Sequence, residues 1–303
     1  MKQLSLKAKP KPQSLLEQMN MNKSCLICGS NQHQVAFREF EVDIRRCRAC
    51  GHLFSTYPGQ KDYSDYWGEG VTEAEAQLWW DKAHQRVYDS FCRKFISGKK
   101  GKLLDVGCGL GYFVKKVSSY PDWEVYGYEI SPAAVNYAKQ NLGLKNVFAG
   151  RVEDSKFPAK SFDIITLWDV LEHIAEPDPF LSYLSSLLKE EGILFLHTPN
   201  NVIQLPKARL KKMLKGMNPQ THYLEAKDHM HLYSMKNLKK LLQRNFFATV
   251  EFIHLPPIQA VSGQAKRLPI LIKNFWYLLS LGLFNISFSQ LNLDNLFAVA
   301  KKK

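Results

Sequence analysis

The stretch LLDVGCGLG, residues 103–111, decides the fold of this 303-residue chain. An apolar run that ends at Asp105 reads as a strand, and FVKKVSSY just beyond the glycines reads as the start of a helix. Glycines at 107, 109 and 111 allow a sharp strand-to-helix turn and a close approach of the backbone to a ligand. The free N–H groups at the start of the helix favour a polar ligand there.

Strands and helices alternate on both sides of this turn. The sequence predicts strands over 123–131, 146–150, 163–170, 193–200, 249–255 and 295–303, and helices over 131–143, 178–192 and 235–247. Strands alternating with helices of this length predict an α/β fold, with a parallel sheet covered by helices on both faces.

Further motifs follow the glycine turn in a fixed order. Glu129 ends the second strand, Glu-Asp stands at 153–154, and D-x-I-x-x-x-x-V-L-E-H spans 163–173, with T-P-N at 198–200. Together with D-V-G-C-G-x-G at 105–111, this series resembles class I S-adenosylmethionine-dependent methyltransferases over residues 100–255. The resemblance implies a Rossmann-like sheet of seven strands that binds S-adenosylmethionine.

The same resemblance implies roles for individual residues in binding the methyl donor. Asp105 and the glycines would surround its methionine part, Glu129 would bind the ribose, and Trp168 and Asp169 would close the pocket. The cofactor-binding residues predicted in this way are Asp105, Gly107, Gly109, Gly111, Glu129, Ile130, Glu153, Asp154, Trp168 and Asp169.

Four of the six cysteines form two C-x-x-C pairs, at Cys25 and Cys28 and at Cys47 and Cys50. Four thiolates at this spacing predict one structural zinc ion, since a complete set of sulfur ligands leaves no open position for catalysis. A redox dithiol is the alternative. A zinc ribbon over 23–56, ahead of a methyltransferase domain, is similar to bacterial methyltransferases of sugar and polysaccharide pathways.

Methyl transfer to a hydroxyl requires a group that removes the proton, and three histidines are candidates: His173, His229 and His231. A second hypothesis has Asp169, Glu172, His173 and His229 hold a divalent metal that polarises the acceptor. That set resembles the metal site of small-RNA 3′-terminal 2′-O-methyltransferases and of ubiquinone O-methyltransferases, although Asp169 stands where those families usually have Glu.

The rest of the chain divides by composition. Residues 1–22 read as a disordered basic tail, 57–98 as an aromatic-rich linker with helices, and 99–303 as the main domain, with insertions at 203–222 and 256–290. The first insertion contains a basic helix over 206–217. The second contains the apolar segment 268–288, for which a buried hairpin, a dimer surface and a helix lying on a membrane remain open.

The composition favours anionic partners, because the net charge is +13. We expect a cytoplasmic enzyme, free or at the inner face of the membrane. Its predicted reaction is methylation of a hydroxyl, or of a carbon, in a sugar, polysaccharide precursor or lipid-linked saccharide. A metal-dependent RNA 2′-O-methyltransferase and a catalytically silent binding module are the alternatives, and a homodimer is compatible with either.

Overall fold

The structure is a computed structural model that describes residues 24–58, 63, 81–258 and 267–302. The predicted tail, residues 1–22, lies outside the described residues, as does half of the predicted aromatic-rich linker, residues 57–98.

The described strands form two sheets. A small sheet has the order β1-β2-β3-β9, and a sheet of seven strands has the order β10-β11-β8-β7-β4-β5-β6. Their bounds are β1 (His33–Glu39), β2 (Val42–Cys47), β3 (Leu53–Ser55), β4 (Gly101–Val106), β5 (Trp123–Glu129), β6 (Val147–Ala149), β7 (Phe162–Trp168), β8 (Leu188–Thr198), β9 (His231–Leu232), β10 (Phe247–Ile253) and β11 (Leu296–Lys302).

The described helices alternate with the strands of the large sheet. They are α1 (Gln85–Phe95), α2 (Tyr112–Ser118), α3 (Pro132–Leu142), α4 (Pro177–Leu187), α5 (Asn201–Lys215), α6 (Met235–Arg244) and α7 (Arg267–Ile286). Single turns of 3-10 helix occur at Val152–Asp154 and Leu171–His173. The α/β fold and the seven-stranded Rossmann-like sheet predicted from the sequence are confirmed.

The sheet is mixed, whereas the alternation of elements predicted a parallel one. Strand β11 runs antiparallel to both of its neighbours, β8 and β10. The physical reason is the route of the chain. After β10 it stays at the carboxyl edge of the sheet, where α7 packs, and β11 therefore starts from that edge and runs back.

Three predicted elements differ from the observed ones. The helix expected over 178–192 ends at Leu187, because Leu188 pairs with Phe162 and begins β8 early. The basic helix expected over 206–217 is the longer α5, which contains Pro206. The segment 268–288 is mainly one helix, and Phe275 on it is 68% exposed, so a buried hairpin is wrong for its described part.

The small sheet contacts the large domain through strand β9 and through helix α6. Strand β9 comes from beyond residue 230 and pairs with β3, Leu53 opposite Leu232. Arg244 in α6 donates to the carbonyl oxygens of Leu26 and Ile27, at 2.7 and 3.2 Å. The small sheet that follows the predicted zinc site is therefore completed by a strand from the predicted main domain, residues 99–303.

No helix among the described residues is long and apolar enough to cross a membrane.

Candidate active site

A cavity of about 710 Å³ opens at the carboxyl ends of β4, β5 and β7. One wall is the turn from β4 into α2, and the opposite wall includes the 3-10 turn Leu171–His173 and parts of the segment 225–229. In parallel α/β sheets ligands bind at this edge, where loops from neighbouring strands converge.

The glycine turn is shaped by backbone torsion. Gly107 has φ +73°, and a Cβ atom there would lie 2.5 Å from Cγ2 of Val170. Gly109 also has positive φ, and its N–H donates to Glu129 Oε2 at 2.8 Å. Both glycines line the cavity. A side chain at either position would disturb the turn itself.

Gly111 has a different role from the predicted one. It stands at the N-terminal cap of α2 with φ +84°, and a Cβ there would lie 2.8 Å from Leu144 Cδ1 and 3.0 Å from Ala138 Cβ. It is not among the described residues that line the cavity. Gly111 therefore allows α2 to pack closely against the end of α3.

Asp105 lies at the floor of the cavity and is almost fully buried. Burial raises the pKa of its carboxyl to about 8, although the hydroxyl of Thr166, which donates to Oδ1 at 2.6 Å, acts in the opposite direction. A buried carboxyl with a raised pKa is stabilised in its ionised form by a neighbouring cation. The sulfonium and ammonium groups of the methyl donor are such cations.

Glu129 is fixed at the end of β5 by two backbone donors. Gly109 N donates to Oε2 and Ser131 N donates to Oε1, at 2.8 and 3.0 Å. Each carboxylate oxygen keeps a further lone pair for a hydroxyl pair of a ribose. Ile130 lines the cavity beside Glu129 and is 40% exposed, so its side chain is accessible to the adenine ring that the sequence resemblance predicts here.

Three other residues predicted to contact the methyl donor lie in different places, namely Glu153, Asp154 and Trp168. Glu153 lines the cavity and forms an ion pair with Arg151 at 3.0 Å, whereas Asp154 is not among the described lining residues. Trp168 lines the cavity from the end of β7, and Phe91, Phe113 and Phe195 pack around its ring. Its position is thus set by the core.

Asp169 follows Trp168 in a left-handed backbone conformation, with φ +52°. Its Oδ1 lies 2.9 Å from Nδ1 of His197, whose Nε2 contacts the side-chain amide of Asn295 at 3.1 Å. Burial raises the pKa of Asp169, but the interactions with His197, followed by those with His84 and His229, together outweigh burial and the pKa is lowered. Sequence reasoning missed His197; its signal is a histidine near the end of the mainly apolar strand ILFLHT.

We call the wall that includes the turn Leu171–His173 and parts of the segment 225–229 the acceptor wall. On it lie Glu172, His173 and His229, and each offers a ligand atom within 4.8 Å of the others. Thr198 donates to Glu172 Oε2 at 3.0 Å, while Oε1 is buried without a hydrogen-bond partner among the described residues. Nδ1 of His229 lies 3.0 Å from the Leu224 carbonyl oxygen, and Nδ1 of His173 lies 3.0 Å from that of Asp228. Because a carbonyl oxygen can only accept, these contacts place a ring proton on each Nδ1, and Nε2 of His229 lies 3.7 Å from Oε2 of Glu225.

The electrostatics of this cluster match a cation. Burial lowers the pKa of His173 to about 4, and burial also lowers the pKa of His229, so both rings are neutral near pH 7. Burial, followed by the charge of Asp169, raises the pKa of Glu172 well above its usual value. Neutral imidazoles and an unpaired carboxyl oxygen are what a divalent metal requires.

The structure places His231 away from the cavity. Its Nδ1 lies 3.2 Å from Nε2 of His52, and its Nε2 lies 3.1 Å from the carbonyl oxygen of Ala175. His231 is 3% exposed and is not among the described lining residues. It joins the small sheet to the active-site wall, and a role as general base does not fit this position.

Two further groups on the acceptor wall were not predicted from the sequence. The hydroxyl of Tyr63 lies 2.9 Å from Nδ1 of His173, and the buried His84 lines the cavity near Tyr88. Both stand in the aromatic-rich segment 57–98, whose composition gave no spacing pattern that links it to a site.

The two cysteine pairs meet at the end of the small sheet. Sγ of Cys25 lies 3.6 Å from that of Cys50, and Sγ of Cys28 lies 3.5 Å from that of Cys47. None of the four forms a disulfide. Four thiolates at about 2.3 Å from a tetrahedral zinc lie about 3.8 Å apart, so the observed sulfur separations fit such a site.

The fold and this cavity indicate a class of protein, and comparison with known proteins shows the family. The chain belongs to the family described as methyltransferase domain, which matches residues 73–251. It resembles the Listeria monocytogenes protein described as an S-adenosylmethionine-dependent methyltransferase, with a TM-score of 0.51 at 15% identity over 73% of this chain and 99% of that one. A Haloferax volcanii methyltransferase solved with its Trm112 activator gives a TM-score of 0.55 at 13% identity, over 80% of this chain and 99% of that one.

Among curated proteins, the relatives include ubiquinone biosynthesis O-methyltransferases. The mitochondrial one of Schizosaccharomyces pombe is 36% identical over 113 residues, 35% of this chain and 40% of that protein. One from Neisseria meningitidis serogroup C is 29% identical over 139 residues, 41% of this chain and 58% of that protein. The chain thus spans about half the length of these relatives.

Proposed function

We propose that this enzyme methylates a hydroxyl group and that Glu172, His173 and His229 hold a divalent metal beside the acceptor. The observation that carries the proposal is Oε1 of Glu172, a buried oxygen without a described partner, next to two imidazoles whose tautomers are fixed by backbone carbonyls. A metal bound there would polarise the hydroxyl and lower its pKa.

The chain's own residues supply the other parts of the reaction. Asp105, the glycine turn and Glu129 orient the donor, whose sulfonium carries the methyl group to be transferred. Trp168 and Tyr88 form an aromatic wall that limits the access of water to the reacting atoms. Asp169, 2.9 Å from His197, adds negative charge near the metal cluster.

The class of acceptor is a hydroxyl on a ring. The curated relatives reported above are named as O-methyltransferases, which supports oxygen over carbon. Aromatic side chains line the cavity, and such side chains stack on sugar rings and on aromatic rings alike. A saccharide, free or lipid-linked, is our first acceptor to test, followed by a phenolic ring.

An RNA 2′-hydroxyl is the second candidate, favoured by the net charge of +13 and by the same metal cluster. Its phosphates would give a steep dependence on salt. Retention on heparin that disappears near about 0.2 M salt would favour RNA over a neutral saccharide.

We also propose that Cys25, Cys28, Cys47 and Cys50 hold one structural zinc ion, for which their sulfur separations are the support. A redox pair would need two sulfurs at about 2.05 Å in its oxidised form.

The first experiment is calorimetric titration with S-adenosylmethionine and S-adenosylhomocysteine on protein of known metal content. Micromolar binding of both, with methyl transfer to a hydroxyl acceptor that EDTA abolishes and Mg²⁺ or Mn²⁺ restores, is the expected result. Transfer at full rate after EDTA treatment, with metal removal verified, contradicts the metal proposal. Binding of neither ligand by folded protein would leave a catalytically silent module.

A further inference from the structure

Helix α7 carries most of its large apolar side chains on its solvent side. Its inner face packs on His254, which contacts the rings of Tyr277 and Phe284 and lies 2.9 Å from the hydroxyl of Ser280. Its outer face holds seven side chains that are 42–79% exposed: Leu271, Ile272, Phe275, Trp276, Leu278, Leu279 and Ile286. A contiguous apolar surface of this kind marks an interaction site in a soluble domain.

Helix α5 combines cations with further exposed apolar groups. Leu210, Met213 and Leu214 are each more than half exposed. The cations of this helix are Lys207, Arg209, Lys211, Lys212 and Lys215. Neither α5 nor α7 contains a single Asp or Glu, so the charge of both helices is entirely positive.

The two helices belong to one surface. Asn200, the N-terminal cap of α5, donates through Nδ2 to the carbonyl oxygens of Asn292 and Asp294, at 2.9 and 3.0 Å, in the segment that follows α7. Burial lowers the pKa of Lys273 in α7; the charge of Asp294 opposes this and the charge of Lys207 in α5 adds to it. We call the outer faces of α5 and α7 the basic-apolar surface.

This surface lies at the same edge of the sheet as the active-site cavity. Strand β10 is parallel to β8, so its carboxyl end at Ile253, where α7 packs, lies at the same edge of the sheet as the cavity. Arg86 donates to Oδ1 of Asn274 at 3.3 Å, and its neighbours His84 and Tyr88 line the cavity. Whatever binds the basic-apolar surface is therefore held at the edge of the sheet where the cavity opens.

We propose that the basic-apolar surface docks on an anionic lipid membrane and that the enzyme methylates an acceptor held in that membrane. Apolar side chains of α7 would enter the boundary between headgroups and acyl chains, Trp276 at the headgroup level, while Lys207 and Lys215 of α5 contact lipid phosphates. The other cations of α5 donate to backbone carbonyl oxygens of the protein: Arg209, Lys211 and Lys212. A second copy of this chain would bring cations against cations. Only the choice of acceptor rests on the proposed function; the docking itself does not.

The test is sedimentation of the full chain with two kinds of vesicle, one of phosphatidylcholine alone and one of equal parts phosphatidylcholine and phosphatidylglycerol. The protein should pellet with the anionic vesicles and remain in solution with the neutral ones. The pair Ile272→Ser and Phe275→Ser should weaken partitioning roughly tenfold or more, because both side chains are exposed and would enter the bilayer.

Charge is tested separately with Lys207→Gln and Lys215→Gln on α5. About fivefold per cation predicts roughly 25-fold weaker partitioning for the pair at low salt. The matched control is Lys139→Gln with Lys145→Gln, which removes the same charge from exposed positions at the end of α3 and just after it. This control should bind anionic vesicles as the parent protein does, apart from a small effect of net charge.

Three outcomes would overturn the proposal. They are equal binding to both kinds of vesicle, no binding to either, and a stable dimer in solution that Ile272→Ser with Phe275→Ser converts to monomer. In each case, calorimetric titration with S-adenosylmethionine is performed on the same samples. Intact donor binding without membrane docking would contradict the docking proposal alone and would not contradict the proposed methyl transfer.

Discussion

The two walls of the cavity are built in different ways. The donor wall comes from one short stretch, residues 105–130, and backbone N–H groups hold its key carboxylate, Glu129. The acceptor wall is assembled from Tyr63, from the turn at 171–173 and from the segment 225–229, and side chains and carbonyls hold its groups. A wall built by backbone torsion is robust to change at a distance, whereas an assembled wall depends on every part that braces it.

The small sheet braces the acceptor wall. His52 lies two residues beyond Cys50, and its Nε2 contacts His231, which in turn contacts the carbonyl oxygen of Ala175. Ala175 follows the turn that carries Glu172 and His173 and lines the cavity. Four substitutions or titrations, ordered by the size of their expected effect, test whether the two walls respond separately.

Cys47→Ser should have the largest effect, because it removes one of the four sulfurs that we assign to zinc. We expect loss of zinc and of at least about 5 kcal/mol of unfolding free energy, since a structural zinc site contributes directly to folding. Metal analysis and thermal unfolding measure it. Cys92→Ser, at a buried cysteine of α1, is the control and should keep its zinc. A Cys47→Ser protein with a full complement of zinc would contradict the four-thiolate site.

Glu172→Gln should affect the acceptor wall alone. The change is isosteric and replaces a carboxylate oxygen by an amide, a poorer metal ligand, so kcat should fall about 100- to 1000-fold. Donor affinity, measured by calorimetry, should stay within about twofold of the parent value. Glu190→Gln, which alters an exposed pair with Lys160, should leave both quantities unchanged. Equal losses in kcat and donor affinity would show that the walls are not separate.

Glu129→Ala should affect the donor wall alone. Loss of hydrogen bonds to a charged group costs about 1.5–3 kcal/mol, which corresponds to donor affinity weaker by roughly 10- to 100-fold. Glu124→Ala lies on the same strand at an exposed position paired with Lys102, and it should bind the donor normally. Unchanged donor affinity in a folded Glu129→Ala protein would rule out the ribose assignment.

The smallest expected effect is the pH dependence of donor affinity. Because burial raises the pKa of Asp105 to about 8, the free protein holds a proton there at pH 7. A cationic donor favours the ionised form, so binding releases that proton, and affinity should rise by up to about tenfold per pH unit until pH 8 and then level off. Titration calorimetry in two buffers detects the proton. Asp105→Asn should bind more weakly, without this rise; an affinity that falls between pH 7 and 8 would refute the assignment.

The residues of the donor wall could be named from the sequence because backbone torsion restricts residue type, and their roles in donor binding stay predictions. Positive φ at Gly107 and Gly109 demands glycine, and a buried strand end such as Asp105 stands out in an apolar run. Gly111 matched the same pattern, yet packing against α3, not the cavity, explains it. A motif therefore reports that a glycine is needed without telling which contact needs it.

The acceptor wall was harder to predict because its residues meet only through tertiary structure. The metal hypothesis named His173 and His229 together, and ligand atoms of these two side chains, which are 56 residues apart, lie within 4.8 Å of each other, but nothing local separates His229 from His231 two residues later. His231 lies in β9, which pairs with β3 of the small sheet, whereas His229 lies just before β9 and lines the cavity. Tyr63 and His84 had no motif at all. The antiparallel β11 likewise depends on where α7 packs, which no local pattern encodes.

The pairing of β3 with β9 has a consequence for the order of events during synthesis. The first three strands leave the ribosome long before His231 and Leu232 do, so the free edge of β3 waits for about 180 residues of translation. At 5–20 residues per second this interval is roughly 10–35 s, during which an unpaired strand edge is open to the wrong partners. Nascent chains arrested before His231 should therefore be cut by protease near β3 more readily than chains arrested after Arg244. Metal binding by the four cysteines, which are synthesised early, would stabilise this part of the nascent chain until β9 is available to pair with β3.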